Sequence, residues 1–323
     1  MASDVATPAP PREAKPRKVK SKASTTDGVR YPRWFWPTFA IPGILWLLLF
    51  FLLPLYTVVS VGFGTVDPIF RGPLPVYNPY WWSTESFEQV IGRFVGPAAF
   101  WQPVLIRTLA YVAIASLICL VVGYTVAYYV ARYGGKRKAL LLVLLISPFW
   151  ISYLMRIFAW QSLLATDGWV NDALRFLNLI DEPVNWLSGL SVTVILSLVY
   201  GYIPFMILVL FGQLDRINES LLEAGRDLGA SPARTFLRVT LPLSKQAILA
   251  GMIIVSLPMF GDYYTNDLMG GPRTRMYGNL IDRAVNQAGQ GPRAGVLVIL
   301  LMLFLMVPMG YYLRSTKRAA EGR

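Results

Sequence analysis

Six long apolar stretches, separated by polar segments, dominate the chain. They cover approximately Phe39–Gly62, Thr108–Ala131, Ala139–Leu163, Ser191–Leu214, Gln246–Tyr264 and Ala294–Leu313. A helix of about 20 mostly apolar residues is long enough to cross a bilayer. The pattern therefore predicts an all-α membrane protein with six transmembrane helices.

The composition agrees with a membrane protein and excludes several kinds of site. Hydrophobic residues make up 55% of the chain and charged residues 15%, whereas a soluble domain carries roughly 25% charged residues. The chain has no histidine, and its single cysteine, Cys119, lies inside the second apolar stretch. These counts exclude a histidine-based catalytic triad and a disulfide framework, and argue against a zinc site. The first apolar stretch exceeds the roughly 7–15 residues of a signal-peptide core, which predicts a retained anchor.

The distribution of basic residues predicts the orientation. The N-terminal tail, the loops after the second and fourth stretches, and the C-terminal tail hold 21 of the 30 Lys and Arg residues. Because cytoplasmic segments keep the excess of basic residues, both termini are predicted to lie in the cytoplasm. The net charge of +12 then reflects topology, and no nucleic-acid partner is expected.

The segments outside the membrane are assigned as follows. Residues 1–35 are predicted to form a disordered basic cytoplasmic tail, and a solvated orientation signal is favoured over binding to anionic lipid. Residues 36–103 are predicted to hold the first transmembrane helix and a long outer loop, and residues 314–323 a second cytoplasmic tail. The loop contains four aromatic residues for which the membrane interface is favoured over a partner protein. These are Tyr77, Tyr80, Trp81 and Trp82.

Ionisable residues inside or near the apolar stretches are candidates for function because they are costly at membrane depth. Arg156 lies in the third stretch, ~26 Å along a helix from its inner end, where its side chain is expected to extend to the outer surface. At the outer end of the fifth stretch, two carboxylates and two aromatic rings occur together, and they suit an organic cation. They are Asp262, Tyr263, Tyr264 and Asp267. The alternative is that the fifth helix ends here and these residues meet water.

The polar segment between the fourth and fifth stretches has the signals of two short helices. Asn218 is a good N-cap, and Leu221, Ala224, Gly225 and Leu228 follow at helical spacing. Gly229 stands at the expected C-terminal stop. Ser231 and Pro232 then start a second helix, which Pro242 is expected to close. The prediction is a rigid protrusion with an apolar ridge and one acidic group, Glu223.

This segment resembles a motif of the permease subunits of bacterial type I ABC importers. The family pattern is E-A-A-x3-G-x9-I-x-L-P, and the chain departs from it at Gly225, in place of Ala, and Val239, in place of Ile. The resemblance implies that residues 104–313 form the permease domain and that segment 218–242 docks into a cytoplasmic ATPase. The residues it assigns to ATPase coupling are Glu223, Ala224, Gly225, Leu228, Gly229, Leu241 and Pro242.

Other segments are similar to the spermidine/putrescine permeases of this class. They include SPFWISYLMRIFAW, DGWVNDAL, NDLMGG and YGNLI, whereas the basic tail and the enlarged first loop are departures. The resemblance implies a polyamine cargo, with Asp262, Tyr263, Tyr264 and Asp267 on the substrate path and Trp150 and Trp160 as weaker candidates. Permeases for other amines, opines, iron chelates or thiamine share much of this pattern, so those cargoes stay open.

The resemblance also implies the partners. The chain has no G-x-x-x-x-G-K-[ST] phosphate loop, so it is expected to bind no cofactor, and ATP and Mg²⁺ are expected in a separate ATPase. Two ATP-binding subunits, a second permease subunit and an extracytoplasmic substrate-binding protein are expected, around a multi-pass protein of the bacterial inner membrane. An enzyme is not expected, because no catalytic constellation is evident, and a non-transporting anchor or scaffold is the less favoured alternative.

Overall fold

Helices make up most of the computed structural model, which describes residues 35–96 and 99–320. Five of the described helical segments are long and apolar enough to cross a membrane, and a bent helix pair gives a sixth. The five are Thr38–Gly62, Gln102–Tyr133, Ser191–Leu214, Pro232–Gly261 and Gly291–Arg318. The predicted all-α class is confirmed, and the predicted number of spans holds when the bent pair counts as one span.

The chain divides into two units, Met1–Leu52 and Leu53–Arg323. In the first, the described residues form α1 (Phe35–Leu47) and a π-helical segment, Leu48–Leu52. The helices of the second unit follow in chain order. They are α2 (Leu53–Gly62), α3 (Glu85–Phe94), α4 (Gln102–Tyr133), α5 (Lys138–Ile146), α6 (Tyr153–Leu163), α7 (Trp169–Phe176), α8 (Ser191–Leu214), α9 (Glu219–Asp227), α10 (Pro232–Thr235), α11 (Leu241–Gly261), α12 (Tyr264–Met269), α13 (Tyr277–Asn286) and α14 (Gly291–Ala320).

The third predicted span is bent, which corrects the expectation of one continuous helix. A 3₁₀ segment, Ser147–Trp150, follows α5, and the helices before and after the break differ in direction by 85°. Pro148 lies in this segment and supplies no backbone N–H, which disfavours continuation of the helix. Ile151 and Ser152 then have ψ angles of 140° and 139°, outside the helical range. The break therefore has a local cause in the sequence.

The main core lies between α4, α8 and α11. Met206 of α8 is completely buried in it, between a glycine of α4 and a glycine of α11. A Cβ atom on Gly123 would lie 2.9 Å from the Met206 Cγ atom, and one on Gly251 would lie 2.6 Å from its Sδ atom. The three helices can therefore pack this closely only because both glycines lack a side chain.

A second core joins α3, α13 and α14, where Val90, Tyr277 and Leu297 are buried. On its other side α14 packs against α2 through a glycine pair. A Cβ atom on Gly295 would lie 2.6 Å from the backbone nitrogen of Gly62. The contact is between two backbones. A change of side-chain rotamer therefore could not make room for a Cβ atom at Gly295.

The long first loop is ordered. Strands β1 (Thr65–Val66) and β2 (Pro73–Leu74) pair in antiparallel fashion, with Thr65 opposite Leu74. The loop also contains α3 and a 3₁₀ turn, Pro79–Trp81. Tyr77, Tyr80 and Trp81 are exposed, while the indole nitrogen of Trp82 donates to the carbonyl of Val76 at 2.8 Å.

Two predicted segments have different outcomes at the ends of the chain. Residues 1–34, nearly all of the predicted N-terminal tail, lie outside the described residues. At the other end α14 continues to Ala320, so most of the predicted second tail is a continuation of the last helix. The cytoplasmic location of both termini stays a prediction.

Candidate functional site

The polar segment after α8 begins as the sequence predicts. The side chain of Asn218 accepts a hydrogen bond from the backbone nitrogen of Ser220 at 3.1 Å and caps α9. Gly229 has a φ angle of +79°, the left-handed conformation that commonly ends a helix. The Ser231 hydroxyl accepts from the backbone nitrogen of Arg234 at 3.3 Å and caps α10, with Pro232 in its first turn. The predicted caps and glycine corner are confirmed.

The predicted end of the second helix at Pro242 is wrong. A π-helical turn, Phe236–Thr240, connects α10 to α11, and the helix runs without interruption from Pro232 to Gly261. The backbone nitrogen of Leu241 donates to the carbonyl of Phe236, five residues earlier. Because Pro242 has no N–H, this wider turn lets the chain pass the proline while remaining helical. The second helix of this segment and the fifth span therefore form one helix, whereas α9 is separated from them by the Gly229 turn.

The two faces of α9 differ from the simple predicted stripe. Leu222 is buried, whereas Leu221 and Leu228 are exposed, Leu228 by 89%. Glu223 and Ala224 are also exposed, so a ridge of Leu221, Ala224 and Leu228 is open to a partner.

The remaining predicted coupling residues differ in their exposure and packing. A Cβ atom on Gly225 would lie 3.4 Å from the Thr235 methyl group, an ordinary contact, so the alanine of the family pattern would fit there. Gly229 and Pro242 are exposed, and Leu241 packs against the main core. Leu241 therefore has a packing role, unlike the residues of the ridge.

Two basic residues tie the start of this segment to other spans. The Lys138 Nζ atom lies 2.6 Å from the Asp215 Oδ1 atom. The Arg132 Nη1 atom donates to the carbonyl of Ile217 at 3.1 Å. In the sequence both cations indicate only topology, and no sequence spacing links them to residues 77 and 85 positions away. The ends of α4 and α5 are thereby joined to the linker that precedes α9.

Asp262 is a buried acceptor at the end of α11. Its residue is 8% exposed, and its Oδ2 atom accepts from the hydroxyls of Tyr153 at 3.1 Å, Tyr202 at 3.2 Å and Thr265 at 2.7 Å. Its Oδ1 atom accepts from the backbone nitrogen of Thr265 at 3.0 Å. The helix does end here, as the alternative interpretation expected, but Asp262 does not meet water. It connects α6, α8 and α12 to the fifth span.

Asp267 lies on α12 in different surroundings. It is exposed, and its Oδ1 atom accepts from the side-chain nitrogen of Asn279 at 2.8 Å. It lines a cavity of about 140 Å³ together with Arg275 and Arg283. Partial burial, followed by the nearby Asp282 carboxylate, raises the pKa of Asp267 above its ordinary value, and Arg283 opposes this shift.

Of the four predicted cation-binding residues, Asp262 has different surroundings from Tyr263, Tyr264 and Asp267. Asp262 and Asp267 share no hydrogen-bond partner among the described residues. The rings of Tyr263 and Tyr264 stack on each other with centroids 4.1 Å apart. Of this group, Tyr264 and Asp267 are exposed and Tyr263 is half-buried, whereas Asp262 is enclosed by its hydroxyl donors.

Arg156 is partly buried and packs against aromatic rings. Its Cζ atom lies 4.4 Å from the ring centroid of Phe149, 5.5 Å from that of Tyr153 and 5.6 Å from that of Tyr200. Its Nε and Nη1 atoms are buried and have no hydrogen-bond partner within the described ranges. The three rings stabilise the cation next to the break in the third span, and the extension of Arg156 to the outer surface stays a prediction.

The two tryptophans named as weaker candidates are placed differently from each other. Trp160 meets Tyr200 edge to face at 5.3 Å and lines an apolar cavity of about 510 Å³ beside α7 and α8. Trp150 lies at the break and is 75% exposed. Residues 35–96 and 99–320 contain no group of three His, Cys, Asp or Glu side chains that could hold a metal ion.

Comparisons with known proteins give consistent results. The model of the family described as binding-protein-dependent transport system inner membrane component matches residues 120–314. The spermidine/putrescine transport system permease protein PotB of Escherichia coli K12 is 34% identical over 278 residues, which cover 84% of this chain and 94% of that protein. The protein of the same name from Haemophilus influenzae is 32% identical over 274 residues, covering 84% and 91%.

Among solved structures, a bacterial ABC transporter involved in the import of the acidic polysaccharide alginate has the same fold. The TM-score is 0.69 at 17% identity, and the match covers 88% of this chain and 96% of that chain. The described helices therefore adopt the fold of an ABC importer transmembrane domain.

Proposed function

The chain belongs to the family of binding-protein-dependent transport system inner membrane components, and from this premise we propose that it moves polyamines inward. It is a multi-pass permease subunit of an ABC importer, and spermidine or putrescine is the proposed cargo. The observation that carries this proposal is the similarity to two permeases named for spermidine and putrescine across 84% of the chain.

Alternating access driven by a separate ATPase is the proposed mechanism. The exposed ridge on α9 and the exposed Glu223 offer an ATPase a surface of apolar contacts with one charge. Because α9 packs against α10, and α10 continues into α11, a displacement of the docking surface would be passed through α10 to the fifth span. ATP and Mg²⁺ would be held by the ATPase subunits, and a second permease subunit would complete the path across the membrane.

A cargo with an anionic group is the second candidate, and Arg156 favours it. The buried Nε and Nη1 atoms of Arg156 have no hydrogen-bond partner in the described part of the chain, and its guanidinium occupies the faces of Phe149 and Tyr200. An arginine with free N–H groups suits a carboxylate better than an amine. The exposed Asp267 and Tyr264 favour the amine instead.

Uptake into proteoliposomes tests the cargo. The complete transporter would be reconstituted with its binding protein and ATP, and the entry of labelled spermidine and putrescine would be measured. We expect ATP-dependent uptake that unlabelled polyamines suppress and that carboxylated amines such as opines do not. Suppression by opines alone, with no polyamine entry, would replace the polyamine cargo by the second candidate.

A further inference from the structure

Arg132, at the end of α4, has one unoccupied edge of its guanidinium group. Its Nη1 atom donates to the carbonyl of Ile217, whereas its Nε and Nη2 atoms are buried and have no hydrogen-bond partner among the residues described. Nε and Nη2 together form an edge of arginine that can bind both oxygens of a carboxylate. Leaving a buried charged group unpaired is strongly unfavourable. This edge therefore favours an acidic partner.

The free edge belongs to a residue that lines a small polar cavity next to α9. The cavity has a volume of about 190 Å³ and two acidic residues in its wall. Its lining consists of Tyr128, Arg132, Tyr133, Glu219, Leu222, Glu223 and Arg226. Within the described ranges the one ion pair joins Lys138 to Asp215, so neither acidic residue of the cavity is paired. The cavity thus contains an unsatisfied cation and candidate acceptors for it.

Of the two acidic residues, Glu223 is the better partner for Arg132. Glu219 is the first residue of α9, where the helix N-terminus already stabilises a negative charge. Glu223 lies one turn further along, next to Leu222, which is buried. Arg226 follows three residues later on the same helix, but it is exposed, so its pairing with Glu223 is weakened by water.

We propose that Arg132 is a positioning residue for coupling, and that its Nε and Nη2 atoms bind the Glu223 carboxylate when the ATPase docks on α9. The inference rests on the proposed function, because it requires an ATPase at this surface. Arg132 already holds the Ile217 carbonyl, so the additional contact would join α4, the linker and α9 into one unit. A force on α9 would then reach the second span as well as the fifth.

A double-mutant cycle on the complete transporter tests this pairing. Arg132→Gln, Glu223→Gln and the double variant would be compared by the amount of ATPase that co-purifies with the permease and by cargo imported per ATP hydrolysed. We expect each single variant to lower import per ATP about tenfold, as for loss of a charge-assisted hydrogen bond. The double variant should import no less cargo per ATP than the more impaired of the two single variants, because both changes remove the same contact.

Matched cycles separate the pair from general effects of charge. Arg137 is exposed in the loop that follows α4, and Arg137→Gln combined with Glu223→Gln should give independent, multiplying effects. Arg132→Lys keeps the charge but loses the two-pronged edge, and it should retain part of the coupling. Multiplying effects in the Arg132 and Glu223 cycle would overturn the proposal, as would a coupled cycle between Arg132→Gln and Glu219→Gln.

The co-purification readout does not depend on the cargo. If the wild-type transporter imports no polyamine, the cargo proposal fails, while retention of the ATPase by the four members of the cycle still decides the Arg132 pairing. If no ATPase co-purifies with the wild-type permease, both proposals are overturned.

Discussion

Replacing the Asp262 carboxylate with an amide removes the acceptor that joins three helices to the end of the fifth span. In Asp262→Asn the side-chain volume is nearly unchanged, so the effect comes from hydrogen bonding and charge. The amide oxygen can keep the bond from the backbone nitrogen of Thr265. The amide nitrogen then faces three hydroxyl groups that all donate to Oδ2 in the native protein, those of Tyr153, Tyr202 and Thr265.

The size of the effect follows from these contacts. Hydrogen bonds to a charged group contribute about 1.5–3 kcal/mol each, against about 1 kcal/mol for neutral pairs. Exchanging three of them for neutral or reversed bonds costs about 1.5–6 kcal/mol, and removing a buried charge returns part of this amount. We therefore expect a net loss of about 2 kcal/mol, which corresponds to a melting temperature lower by about 3 °C for a chain of 323 residues, at ~2.1 cal/mol/K of unfolding entropy per residue.

Thermal unfolding of the detergent-purified transporter measures this loss, and Asp267→Asn is the matched control. Asp267 is exposed and accepts one side-chain hydrogen bond, from Asn279, which an amide oxygen can still accept. Its melting temperature should stay within about 1 °C of the wild type. An unchanged melting temperature in Asp262→Asn would refute the role of Asp262 as a structural junction, and reduced uptake at wild-type stability would make it a substrate contact.

Three further predictions concern cargo, packing and coupling. Asp267→Asn should reduce polyamine uptake while leaving assembly intact, and wild-type uptake by this variant in proteoliposomes would remove Asp267 from the substrate path. Gly295→Ala places a methyl group against the backbone of Gly62 and should lower the free energy of unfolding by about 1–3 kcal/mol, whereas Gly310→Ala in the same helix has open space and should be neutral or stabilising by up to ~1 kcal/mol in thermal unfolding. Gly229→Val forces a branched side chain into a φ angle of +79° and should reduce the amount of ATPase that co-purifies. Gly229→Asn should retain the ATPase, because asparagine tolerates this conformation. Equal co-purification in both variants would show that ATPase binding does not require the left-handed turn at Gly229.

The positions of the spans and the caps of α9 could be predicted because their signals are local. Apolar runs, Asn218, Gly229 and Ser231 each act on residues within one or two turns. The break at Pro148 was marked by a proline, but proline also occurs inside the intact helices α8, α11 and α14, so its presence did not distinguish a break from a bend.

The surroundings of Asp262 could not be predicted from the sequence because they depend on long-range contacts. Tyr153 and Tyr202 lie 109 and 60 residues before it, and no spacing rule connects them. The same holds for Arg132 and Ile217, which are 85 residues apart. The motif in α9 predicted a docking surface, whereas the contacts of Arg132 and Lys138 with the linker before α9 became evident only from the packing of the helices.

The uninterrupted helix from Pro232 to Gly261 has a consequence for the energetics of transport. Its 30 residues correspond to ~45 Å at ~1.5 Å per residue, longer than the ~30 Å hydrocarbon layer. The ridge that would meet the ATPase therefore precedes one end of this helix, and Asp262 directly follows the other end. By thermodynamic reciprocity, if ATPase docking changes the affinity of the permease for cargo by some factor, cargo must change the affinity of the permease for the ATPase by the same factor.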